Sequence, residues 1–66
     1  MAPRFLSIAD VAEQLSISAQ AVRSLIRTGE LPAIQVGARG LWRIEVAALE
    51  DYIDKQYAHT REAVSE

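Results

Sequence analysis

The 66-residue sequence predicts a mainly α fold carrying one small β-hairpin, in the order helix, helix, strand, strand, helix (α-α-β-β-α). Three observations carry that reading. Apolar residues recur at helical spacing in three stretches, and only Ser16, Ile17 and Ser18 part the first stretch from the second. Two short β-prone runs then flank Gly37-Ala38-Arg39-Gly40. A chain of this length makes one domain and buries only about 60% of the surface its unfolded form exposes, so residues 1–66 are read as a single unit with an ordered core over about 5–57.

Met1 to Leu6 reads as an entry segment that docks Phe5 and Leu6 on the core. Ser7 is placed as a helix N-cap, and Asp10 three residues on completes an approximate capping box. Ile8, Val11, Ala12 and Leu15 follow at i, i+3, i+4 and i+7, the inward stripe of a short helix. Ser18 is the N-cap of a second helix running to about Thr28, with Gly29 as the residue that ends it. At about 100° per residue, Val22, Leu25, Ile26 and Gly29 fall on one side of that helix. Gln20, Arg23, Ser24 and Arg27 fall on the other.

Pro32 forbids continuation of the second helix. Ala33–Val36 and Leu41–Ile44 form the hairpin, its glycines supplying positive φ. A third helix is predicted from about Val46 to Tyr57, with Val46, Leu49, Ile53 and Tyr57 inward. Little pattern remains from Ala58 to Glu66, where fraying is expected.

The net charge of −2 argues at first against a polyanionic partner, but its distribution reverses the argument. Ser18 to Ile44 carries Arg23, Arg27, Arg39 and Arg43 against Glu30 alone, a local charge of +3. Glu45 to Glu66 holds six acids against Lys55 and Arg61, a local −4, and the first seventeen residues contribute −1. A cationic stretch therefore adjoins an acidic third, and screening beyond about 10 Å lets the two act separately. The absence of cysteine excludes disulfides and thiolate metal sites and suits a reducing, cytoplasmic compartment. No apolar run approaches the roughly 20 residues of a membrane span, and the first residues lack the apolar stretch of a secretory leader.

Two short helices joined by a three-residue turn, the second with a polar outer stripe, form a helix-turn-helix pattern. Ala12 must be small where the second helix crosses the first, and Ile17, Val22 and Leu25 are expected to plug the angle between them. Ser16 stands where a left-handed backbone is wanted, at a cost of about 1 kcal/mol for a residue other than glycine.

The blocks Phe5-Leu6-Ser7-Ile8-Ala9-Asp10-Val11-Ala12, Leu15-Ser16-Ile17-Ser18, Gly29-Glu30-Leu31-Pro32-Ala33-Ile34 and Trp42-Arg43-Ile44, in that order, resemble the excisionase-type helix-turn-helix domains, minimal relatives of the MerR-like winged-helix regulators. The resemblance covers about residues 5–57 and implies a winged helix-turn-helix of bacterial or phage origin that binds double-stranded DNA. It implies a second helix (about 18–28) in the major groove and a wing (33–44) on flanking DNA, in transcription control or site-specific recombination. By position, Gln20, Arg23, Ser24 and Arg27 fall on the recognition helix, Arg39 on the wing tip, and Arg43 after the family's tryptophan. The wing is longer and less basic than the shortest family forms.

The residue chemistry agrees with those roles. Arginine pairs bidentately with guanine and glutamine with adenine, which suits Gln20 and Arg23 to base edges. Arg27, one turn on, suits phosphate, as does the helix N-terminus at Ser18. Arg39, between glycines, suits a minor groove. The expected partner is thus duplex DNA, with self-association on it. No cofactor, metal, small-molecule effector or enzymatic activity is expected, because no nucleophile–base pair, ligand cluster or phosphate-binding glycine loop is present and His59 stands alone. Trp42 is expected to pack the wing onto the second helix rather than wedge into a groove. Asp51 and Lys55, spaced i, i+4, are expected to pair. The rival reading from another class is a protein-interaction module using the acidic Glu50, Asp51 and Asp54 of the third helix.

Overall fold

A computed structural model describes residues 4–64. Three helices and a three-stranded antiparallel sheet run in the order β1 (Phe5–Leu6), α1 (Ile8–Leu15), α2 (Ala19–Arg27), β2 (Ile34–Val36), β3 (Leu41–Glu45) and α3 (Val46–Val64). The mainly helical, winged arrangement is the one expected, with one strand more. The entry segment is β1, which pairs with β3 so that Phe5 faces Glu45 and Leu6 faces Ile44. Only Leu6 docks on the core. Phe5 points to the opposite face, 38% exposed, because successive strand residues alternate sides.

The first two helices begin where their capping chemistry dictates. The Ser7 hydroxyl accepts from the Asp10 amide and the Asp10 carboxylate accepts from the Ser7 amide, both at 3.1 Å, a complete capping box. The Ser18 hydroxyl accepts from the Ala21 amide at 3.0 Å. Between α1 and α2 the chain turns through Ser16 at φ 56°, the left-handed conformation anticipated there. The Ile17 amide then donates to the Ala12 carbonyl at 3.0 Å. Ile17 itself is 38% exposed, so Val22, which is fully buried, and the half-buried Leu25 fill the interhelical angle without it. The end of α2 follows the expected plan: Gly29 adopts φ 82°, and the Leu31 amide returns to the Leu25 carbonyl at 3.1 Å. That return carries Leu31 into the core.

The core comprises Leu6, Val11, Val22, Leu31, Ile44 and Leu49. It takes one residue from β1, α1, α2, the loop after α2, β3 and α3, so each of these segments is anchored by an aliphatic side chain worth about 1.5–3 kcal/mol of burial. β2 contributes none; its three residues are exposed. It is held by pairing with β3, Ile34 opposite Arg43, Gln35 opposite Trp42 and Val36 opposite Leu41. The connecting turn places Gly37 and Gly40 at φ 78° and 61°, as the hairpin reading required.

The third helix departs from expectation at its C-terminal end. Its Val46 amide donates to the Arg4 carbonyl at 2.8 Å, tying its start to the entry segment. It then runs seven residues past Tyr57, to Val64, where fraying was expected; residues 65 and 66 lie outside the described residues. Ala58 to Val64 includes neither glycine nor proline and is rich in good helix formers, so propensity carries the helix on after its packing partners end. Tyr57, expected inward, is 66% exposed for the same reason. Val46 and Ile53 pack against the core around Leu49, joined by Tyr52. Lys55 and Asp51 pair at 3.2 Å. Among the described residues, no helix is long and apolar enough to cross a membrane.

Candidate nucleic-acid interface

The ridge of α2 is built by the helix period. Because Val22 is fully buried and Leu25 and Ile26 are half-buried, the opposite flank turns outward. Gln20, Arg23 and Arg27 are exposed there, and Ser24 is half-buried at its edge. Ser18, at the N-terminus, spends its hydroxyl oxygen on the Ala21 amide, which leaves the preceding helix amides without an intrahelical acceptor. α2 packs chiefly against α1, and α3 against β3, so the acidic helix is not laid along the ridge. Arg4 pairs with Glu45 and Lys55 with Asp51, whereas Arg23, Arg27 and Arg39 have no acidic partner within ion-pair distance among the described residues. A set of three uncompensated guanidinium groups on one stretch makes a local positive field that the net charge conceals.

Arg39 lies exposed in the Gly37–Gly40 turn. That turn is closed by the Gly40 amide donating to the Gly37 carbonyl at 3.1 Å and by the Gln35 side-chain amide donating to the Gly40 carbonyl at 3.2 Å. A Cβ on Gly40 would meet the Gln35 side-chain nitrogen at 3.2 Å, so both the positive φ and this brace favour glycine there.

The hairpin register sorts the remaining candidates. Residues directly opposite in an antiparallel pair share a face. Leu6, Ile44, Trp42 and Gln35 therefore share the inner face, and Phe5, Glu45, Arg43, Ile34, Leu41 and Val36 the outer one. Trp42 is half-buried on the α2 side, where it lines an open trough of about 410 Å³ with Arg23, Ile26 and Arg27. The structure thus brings Trp42 against the α2 flank that carries Arg23 and Arg27, the packing expected of it. It separates Arg43 from that flank. The Arg43 guanidinium donates to the Trp42 carbonyl at 2.6 Å and, from the outer face, acts electrostatically on Asp10. The Ser7 amide and hydroxyl, reinforced by Arg43, hold the Asp10 carboxyl below the usual carboxylate range.

Two features escape a reading by residue type. Ile26 and Trp42 combine into the floor of the trough, although each was assigned to packing alone. The separation of Trp42 from Arg43 was available in principle, since Ile44 must face the core and strand residues alternate. The apolar outer face, with Ile34, Val36 and Leu41 all about half-exposed, has no counterpart in the helical pattern. Among the described residues, no cluster of histidine, cysteine or carboxylates has the make-up of a metal site.

Comparison with known proteins follows the same outline. The family model described as a helix-turn-helix domain matches residues 5–57. Two proteins of Mycobacterium tuberculosis, one from strain CDC 1551 / Oshkosh and one from strain H37Rv, are each named a "putative DNA-binding protein". Each is 33% identical to this chain over 54 residues, a span covering 82% of this chain and 67% of the relative.

Proposed function

Because the chain belongs to the helix-turn-helix domain family, an excisionase-like family, we propose that it binds double-stranded DNA sequence-specifically and acts as a small transcription regulator without enzymatic activity. The observation that carries this reading is the α2 flank. Gln20, Arg23, Ser24 and Arg27 share one side of a short, doubly capped helix, and neither arginine has an acidic partner among the described residues. A helix so faced enters the major groove, where glutamine reads adenine and arginine reads guanine or holds phosphate. The N-terminus at Ser18 receives a phosphate. Arg39, on its glycine-flanked tip, reaches the adjoining minor groove. Arg43 is assigned to hairpin support, since it lies on the outer sheet face.

The names of the two mycobacterial relatives support a DNA partner, and so does the charge segregation. A single module of this kind buries only about 600–1,000 Å² on DNA, so useful affinity calls for two or more copies bound side by side or head to tail. Stepwise mobility shifts on long duplexes test that; one tight monomeric complex on a short site refutes it. The family's excisionase-like character also supports an architectural role in recombination, and a change in end-to-end distance of a labelled duplex on binding separates bending from simple occupancy.

The central test is Arg23→Ala combined with Arg27→Ala, measured by fluorescence anisotropy on a selected duplex at stated salt. The double variant loses most affinity while its circular dichroism stays native, because both side chains are exposed. With Arg23, Arg27 and Arg39 each displacing about one counterion from the duplex, the wild-type slope of log K against log salt is roughly −3 per domain. Full duplex affinity in the folded double variant overturns the proposal and favours a protein partner for α3.

A further inference from the structure

The trough between α2 and the hairpin has a definite place in any complex with duplex DNA. A B-form major groove is about 12 Å wide, and a helix with its side chains is about 10–12 Å across. A seated α2 therefore fills the groove from wall to wall. Whatever lies beside it on the protein must face the sugar–phosphate strand bounding the groove. Here that is the concavity of about 410 Å³ lined by Arg23, Ile26, Arg27 and Trp42.

Its chemistry matches such a strand. The floor is apolar, made by Ile26 and the half-buried indole of Trp42, and two guanidinium groups one helical turn apart stand on the rim. A backbone strand has the complementary pattern, an apolar deoxyribose face beside an anionic phosphate. At about 100° per residue, Arg23 and Arg27 lie about 60° and about 100° round from Ile26, and Gln20 and Ser24 lie farther round at about 120° and about 160°. Arg23 and Arg27 line the trough, and the ridge turns away from it through Gln20 to Ser24.

We infer that this trough seats one sugar–phosphate segment of the bound duplex, with Trp42 and Ile26 packed under a deoxyribose and Arg23 and Arg27 on its phosphate oxygens. The inference rests on the duplex-DNA reading and refines it. Arg23 moves from reading a base to holding the backbone, and Gln20 with Ser24 is left to read sequence.

The chain has a single tryptophan, so fluorescence excited on the red edge of the band, where Tyr52 and Tyr57 do not absorb, reports on the trough alone. The experiment titrates the wild-type protein with its selected duplex, following anisotropy of labelled DNA and acrylamide quenching of Trp42 together. Arg23→Ala and Arg23→Lys are compared with it. Trp42 becomes protected from acrylamide as the duplex saturates. Arg23→Ala weakens binding to all duplexes alike and lowers the salt slope by about 0.9, so its affinity falls about 3.5-fold less than that of the wild type between 50 and 200 mM salt. Arg23→Lys keeps the slope and the sequence preference, because a phosphate needs only a point charge.

If Arg23 instead reads guanine, the alanine variant loses roughly 5- to 150-fold in discrimination at one base pair in place of a uniform weakening, and the inference is overturned. Unchanged quenching of Trp42 at saturating duplex overturns it too, while leaving the duplex-binding reading in place. Failure of the wild type to bind any duplex removes both.

Discussion

Ser16 is the sharpest place to test the account of the interhelical turn. It is the non-glycine residue among those described that adopts positive φ, at 56°. A left-handed conformation costs an L-residue about 1–2 kcal/mol. Glycine escapes that cost but loses about 0.4–1 kcal/mol more conformational freedom on folding. Ser16→Gly is therefore expected to stabilise the domain by about 0.5–1 kcal/mol. No side-chain hydrogen bond of Ser16 opposes the change; its backbone amide, which donates to the Glu13 carbonyl at 3.2 Å, is retained. In a domain of this size each kcal/mol moves the midpoint about 4–8 °C, which gives a rise in Tm of about 2–8 °C by thermal circular dichroism. Ser16→Ala, which keeps a Cβ, serves as the control and is expected to be nearly neutral. If the glycine variant melts no higher than the alanine variant, left-handed strain at this turn is not a term in the stability of the protein. Duplex affinity is expected to stay within about twofold, because the turn angle is unchanged.

Leu31→Ala removes a fully buried side chain held by the amide return to Leu25, and it is expected to cost about 2–5 kcal/mol, enough to leave a domain this small largely unfolded in urea titrations at low denaturant. The capping box predicts an acid-side weakness. The folded Asp10 carboxyl titrates below its unfolded value of 3.8, so its contribution is fully present above that pH and is lost as pH falls through the lower, folded value. Asp10→Asn is expected to flatten the decline of Tm in that range, and an identical acid profile for the variant would count against the capping box as its origin.

Much of the fold was legible because it is written at short range. Ser7 with Asp10 and Ser18 with Ala21 act over three residues, and the stripes Ile8–Leu15 and Gln20–Arg27 repeat within one or two turns. Gly29, Gly37 and Gly40 mark positive φ wherever they stand in the chain. The candidate ridge on α2 was readable for the same reason, since burying Val22 commits the opposite flank to solvent.

What escaped depends on partners distant in sequence. The two-residue β1 has no pattern of its own and exists because β3 supplies its hydrogen bonds about forty residues later. Tyr57 fits an inward stripe, yet the core ends before reaching it. Ile17 fits the spacing of a plug and is left outside by the way α1 and α2 cross. The local alphabet of caps, breakers and periods thus set the helices, the turn and the polar flank. Which residues of β1 and β2 share a face with Trp42 and with Arg43, and the trough that Trp42 forms with α2, followed from the pairing of β3 with both its neighbours, because strand register is a property of the assembled sheet and not of any one segment.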